Sequence, residues 1–149
     1  MEIPEIIFKT TLPIQIRFND LDALGHVNNN MYFSFFDLGK INYFEKVKAS
    51  KFSWMEGTIV VARIETDFYS PIYYKEPIVV DTKVARLGNK SGTFVQQIRN
   101  VKTDEVKCRC TSTFVAYNPD IQASMLIPDA WREAIEEYED IASAVTDVK

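Results

Sequence analysis

The segment Met31-Tyr32-Phe33-Ser34-Phe35-Phe36-Asp37-Leu38-Gly39-Lys40-Ile41-Asn42-Tyr43-Phe44-Glu45-Lys46-Val47 decides the fold. It lacks proline, and Met31, Phe35, Leu38 and Ile41 recur near helical spacing. Tyr32, Phe36, Tyr43, Phe44 and Val47 make much of the remaining circumference apolar as well. The spacing predicts a helix over 31–47, roughly 25 Å long. A helix apolar on nearly every side is buried on most of them. Gly39 in its middle costs about 1 kcal/mol relative to alanine, so it marks a close approach by a sheet or a second subunit.

The flanks supply the sheet. Upstream, Ile14-Gln15-Ile16-Arg17-Phe18 alternates apolar and polar, which predicts a half-buried strand. Residues 19–27 carry Asn19, Asp20, Asp22 and Gly25, the chemistry of a turn. Any of Asn28, Asn29 and Asn30 could cap the helix. Downstream, 58–68 is one strand, ended by Ser70-Pro71, and 77–86 is the next. Turns at 87–91 and 102–104 separate it from strands over 92–101 and 105–117. Past Asn118-Pro119, Trp131, Ile135 and Tyr138 give an acidic, amphipathic surface helix over 128–141, with Pro128 in its first turn. Four consecutive strands on short turns make an antiparallel sheet in an α+β domain, and a sheet curled around the central helix explains that helix's apolar circumference.

Composition narrows the function. A chain of 149 residues is the size of one domain, here 1–149, and can bury a real core. The net charge of −4 argues against a nucleic-acid partner. No apolar run is long enough for a membrane span, and MEIPEIIFKT does not read as a signal peptide. A cytoplasmic location is the expectation. Cys108 and Cys110 share one face of a strand at a spacing unsuited to a disulfide, and read as buried structural thiols. With His26 as the one histidine, a metal site lacks ligands.

The densest polar cluster is Asp20-Leu21-Asp22-Ala23-Leu24-Gly25-His26-Val27-Asn28-Asn29, between a strand and the N-terminus of the buried helix. The first N–H groups of a helix lack internal partners and carry about half a positive charge. In apolar surroundings they form an oxyanion hole, and a nearby carboxylate supplies a base or nucleophile. The alternative is that both aspartates make Asx turns and the asparagines only cap.

The run from Arg17 to Tyr32, RFNDLDALGHVNNNMY, resembles the signature of hotdog-fold thioesterases of the 4-hydroxybenzoyl-CoA thioesterase-like and acyl-CoA thioesterase family. That signature is an aromatic, any residue, D-x-D, two residues, G-x-V, and an aromatic starting the helix. The resemblance implies a long helix wrapped by an antiparallel sheet of five or slightly more strands. It implies hydrolysis of acyl-CoA, with Asp22 as general base or nucleophile, Asn29 supplying the oxyanion N–H, and His26 in the site. Asp20 fixes the loop. Acyl-ACP thioesterases commonly carry Asn two residues after the aspartate, where this chain has Leu24, so that carrier fits less well. Asn28 and Tyr32 join the substrate-binding set. So does the turn with Arg86, Asn89, Lys90 and Ser91, where relatives contact coenzyme A; a plain solvated hairpin is the alternative. No metal or prosthetic group is required, because coenzyme A is part of the substrate. An uncovered sheet edge and aromatic helix imply a homodimer or homotetramer with sites between subunits. A non-catalytic acyl-binding module is the remaining alternative.

Overall fold

In the computed structural model, which describes residues 2–48 and 57–142, the aromatic segment forms helix α1 (Asn29–Lys48). It starts two residues earlier than the spacing predicts because Asn28 caps it, with Oδ1 accepting the Asn30 N–H at 3.0 Å. One face is buried, with Tyr32, Phe35, Phe36, Gly39, Tyr43, Phe44 and Val47 inside. The opposite face differs from expectation: Leu38 and Ile41 are 49% and 57% exposed in the single chain. Gly39 does mark a close approach, since a Cβ there would stand 2.7 Å from Thr82 Oγ1 and Val80 Cγ1.

Around α1 lie β1 (Thr10–Ile14), β2 (Thr58–Phe68), β3 (Ile78–Leu87), β4 (Ser91–Asn100), β5 (Val106–Asn118) and the two-residue β6 (Ala123–Ser124). Their order is β1-β3-β4-β5-β2, antiparallel throughout, with β6 added on β5. This is the hotdog arrangement. The four later strands fall within a residue or so of their predicted bounds.

The first strand does not. Expected at 14–18, it runs from Thr10 to Ile14, where Ile14 faces Ile78. The alternation continues past Ile14 but the ladder stops, because the chain bends into a short 3-10 turn at Phe18–Asp20. Ile16 is buried without strand pairing, and Phe18 is 76% exposed. Pro13 is tolerated because β1 is an edge strand.

Two apolar clusters fill the interior. One joins Val27, Tyr32, Phe36, Ile72, Val80, Ile98 and Cys108 under the N-terminal half of α1. The other joins Tyr43, Phe94 and Phe114 to Trp131, Ala134 and Ile135 of helix α2 (Asp129–Glu139). The amphipathic helix therefore closes one end of the core. Cys108 and Cys110 are buried free thiols, and burial pushes the Cys108 thiol up to about 12. No helix among the described residues is long and apolar enough to cross a membrane.

Candidate active site

The D-x-D loop is built by its first aspartate. Asp20 is fully buried, and its carboxylate accepts the Arg17 backbone N–H at 2.8 Å and two guanidinium N–H groups at 3.1 and 2.8 Å. Its carbonyl accepts the Asn28 N–H at 2.8 Å, which ties the start of the loop to the helix cap. Burying a carboxyl group is costly unless hydrogen-bond donors replace the water it loses.

Asp22 is held differently. Its Oδ1 accepts the Leu24 N–H at 2.9 Å, an Asx turn, and its Oδ2 lies 3.3 Å from His26 Nδ1. The Asp22 N–H donates to the His26 carbonyl at 2.9 Å, which closes the loop. Gly25 sits at its tip at φ +83°, a conformation that favours glycine. The Asp22 and His26 side chains are 27% and 28% exposed, within reach of a ligand.

Beside them is a cleft of about 240 Å³ lined by His26, Asn29, Tyr32, Phe68, Tyr69, Ser70 and Pro71. The fold thus brings His26, Asn29 and Tyr32 to one cleft and pairs Asp22 with His26. Tyr32 and Phe68 meet edge to face at 5.1 Å between ring centres. Burial, with smaller contributions from neighbouring groups, pushes the Tyr32 phenol up to about 12, so it stays neutral.

The opposite wall is a strap, residues 69–73, whose sequence pattern marks only the end of a strand. The Tyr69 and Ser70 N–H groups donate to the Lys107 carbonyl at 2.8 and 3.3 Å, and the Ile72 carbonyl accepts the Val27 N–H at 2.8 Å. Tyr73 forms a β-bridge with His26 and sets its ring 6.3 Å from the imidazole, at 78°. The signal for this wall is tertiary: a β-bridge and main-chain bonds to residues far along the chain.

Arg86, Asn89, Lys90 and Ser91 lie elsewhere. The β3–β4 turn is at the end of the sheet where Ser91 faces Val115, whereas the cleft is at the end where Phe68 faces Cys108. The length of β4, about 30 Å, separates them within one chain. Nor is the turn loose: the Asn89 carbonyl accepts the Ile127 N–H at 3.0 Å, and Arg132 donates to the Gly88 carbonyl. Lys90 and Arg86 are exposed, while the Asn89 side-chain oxygen is buried.

Among the described residues no group of three or more His, Cys, Asp or Glu side chains is placed to hold a metal. A larger hollow of about 440 Å³, bounded by Asp81, Gln97, Arg99 and Arg109, lies under residues 3–8 on the outer sheet face. Its charged groups largely satisfy one another, Arg99 reaching Asp81 at 2.7 Å.

A helix wrapped by an antiparallel sheet, with an aspartate loop feeding the helix N-terminus, defines a hotdog protein with a candidate acyl-transfer site. Residues 16–135 match the model of the thioesterase-like superfamily. The chain is similar to the long-chain acyl-CoA thioesterase FadM of Escherichia coli (strain K12), 25% identical over 127 residues, covering 83% of this chain and 95% of FadM. It also matches a thioesterase complexed with coenzyme A and Zn from Thermus thermophilus, with TM-score 0.79 and 29% identity over 91% of this chain and 97% of that one. A predicted thioesterase from Bacillus stearothermophilus gives TM-score 0.77 and 29% identity over 86% and 94%. This chain belongs to the thioesterase-like superfamily.

Proposed function

We propose that the protein hydrolyses acyl-CoA thioesters to the free acid and coenzyme A. One observation carries the reading: the Asp22 carboxylate is held against His26, in the loop that feeds the N-terminus of α1, beside the cleft that Asn29 lines. The thioester carbonyl accepts the Asn29 N–H, where the helix dipole favours the developing oxyanion; one such donor is typically worth 10²–10³ in rate. Asp22 either deprotonates the attacking water or attacks the carbonyl itself. In the second route water then hydrolyses the anhydride. In both, the coenzyme A thiolate leaves and takes up a proton. His26 orients Asp22. No metal or prosthetic group takes part, since a thioester is already activated. FadM and the coenzyme A-bound Thermus protein support the choice of carrier.

A second copy completes the site in this reading. β2 is an edge strand, and its Val60, Val61, Ile64 and Phe68 are 40–46% exposed. Unpaired edges of this length are normally covered. Two-fold antiparallel pairing of two β2 strands sets the Thr58 end of one beside the Phe68 end of the other. The partner's β3–β4 turn then comes to the same end as this cleft, roughly 15 Å away across three strand spacings. That distance suits a coenzyme A arm with its phosphates on Lys90, beside Arg86 and Ser91. Asn28 and Tyr32 border the acyl end, and Asn89 shapes the turn.

The test is thiol release from acyl-CoA and acyl-ACP panels, with light scattering on the same sample. Turnover of acyl-CoA by a particle of two or four times 17.2 kDa is expected. Release from acyl-ACP alone overturns the carrier, no release from either leaves an acyl-binding module, and an active 17.2 kDa monomer overturns the shared site.

A further inference from the structure

The wall of the cleft hangs on a residue outside the aspartate motif. Lys107, on β5, is 6% exposed. Its carbonyl accepts the Tyr69 and Ser70 N–H groups, and its ammonium donates to the Pro71 carbonyl at 3.2 Å. The same ammonium pairs with Glu76 at 3.0 Å and with Glu105. Glu76 carries the hold onward, accepting the Tyr73 N–H at 2.6 Å and the Asn100 side-chain N–H at 3.1 Å. Tyr73 in turn bridges His26.

We propose that Lys107 is a positioning residue for the thioester site: its ammonium and carbonyl fix the strap 69–73, which sets the cleft wall against His26. This rests on the reading of the cleft given above. The geometry favours it over simple stabilisation of the β4–β5 turn. Glu105 alone would serve that turn, whereas the ammonium also reaches the cleft-lining Pro71 carbonyl and Glu76, which holds the Tyr73 N–H. Burial alone would favour the neutral amine, but Glu105 and Glu76 hold the ammonium charged, so the clamp persists at neutral pH. Without that charge, the Pro71 carbonyl and Glu76 lose a shared donor, and the 71–73 part of the strap is held less firmly against His26. A shift of about 1 Å in a catalytic constellation can cost as much as a hundredfold in rate.

His26 is the one histidine in the chain, so its ring resonances report this wall without ambiguity. The experiment compares wild type, Lys107→Met, Lys107→Arg and Glu76→Gln by His26 NMR and by acyl-CoA kinetics well below each Tm. Lys107→Met is expected to shift the His26 ring signals and to lower kcat about ten- to a hundredfold, with KM changed less. Lys107→Arg, which keeps the charge and donors, should recover most of both. A folded Lys107→Met with wild-type His26 signals and wild-type kcat, whatever its Tm, overturns the proposal. If Lys107→Met does not fold, Glu76→Gln decides: it must move the His26 signals, and unchanged signals overturn the proposal equally. A wild type that hydrolyses no acyl-CoA would instead sink the functional reading, while the His26 signals still decide whether Lys107 sets the wall.

Discussion

Gly39→Ala separates a close helix–sheet contact from an ordinary helical glycine. On an exposed helix face the substitution would stabilise the protein by about 1 kcal/mol, through helix propensity. Here the new methyl would lie 2.7 Å from Thr82 Oγ1 and Val80 Cγ1, and 2.8 Å from Gln96 Nε2. Those atoms have little room to yield. Gln96 is fully buried and donates to the Phe36 carbonyl at 2.8 Å and to Thr82 Oγ1 at 3.0 Å. Overpacking of this kind costs about 1–3 kcal/mol, and weakening the Gln96 bonds adds about 1 kcal/mol. After the propensity gain, a net loss of about 1–3 kcal/mol is left. For a chain of this size each kcal/mol moves Tm by about 2–4 °C, so Tm should fall by about 2–12 °C. Urea titration should show a lower midpoint at unchanged slope. An alanine variant as stable as wild type, or more so, would falsify the contact and with it the seating of α1 on β3 and β4.

Three further outcomes follow from named contacts. Lys90→Ala should raise KM for acyl-CoA at nearly unchanged kcat, because it removes uniform binding, and the effect should shrink as salt screens the charge; unchanged KM at low salt returns the turn to a plain hairpin. Asp20→Asn should cost stability first, since one buried carboxylate gathers three Arg17 donors; unchanged Tm with abolished turnover would contradict its role as the loop's anchor. The Glu76 carboxyl is pushed up by burial, but the Tyr73 N–H, Lys107 and Asn100 outweigh this and hold it below its ordinary 4.5. A carboxyl lowered on folding stabilises above its unfolded value, and that stability is lost as pH falls through the folded one. Tm should therefore drop on acidification below about pH 4.5, less steeply in Glu76→Gln, and identical slopes would count against the pairing.

The helix and four of the strands were legible because their periods are local: 3.6 residues across 31–47 and two along 58–117. Ile14-Gln15-Ile16-Arg17-Phe18 misled for a physical reason. Alternation reports which side chains turn inward, and Ile16 does, but it does not report whether the backbone still has a partner strand. The ladder ended because Asp20 drew the Arg17 N–H into a turn. At the site, the motif located Asp22, His26 and Asn29 on one loop and helix start, since all three lie within eight residues. The wall was not legible. Tyr69-Ser70-Pro71 reads as the end of a strand, and nothing local says that the Lys107 carbonyl will hold it. Lys107 itself alternates outward in VKCRC, the usual place for a solvated lysine, and is buried only because Glu76 and Pro71 arrive from elsewhere. The separation of the 86–91 turn from the cleft follows from strand direction, which single-strand patterns do not encode.

Stopped-flow or steady-state hydrolysis by Asp22→Asn, on the acyl-CoA that wild type turns over best, tests the central claim most directly. The amide keeps the size of the carboxylate and can still accept the Leu24 N–H, but it has neither charge nor basicity. General base catalysis contributes about 10²–10⁴, so kcat should fall at least about a hundredfold while KM and Tm stay near wild type. A folded Asp22→Asn enzyme that turns over acyl-CoA at close to the wild-type rate would contradict the account.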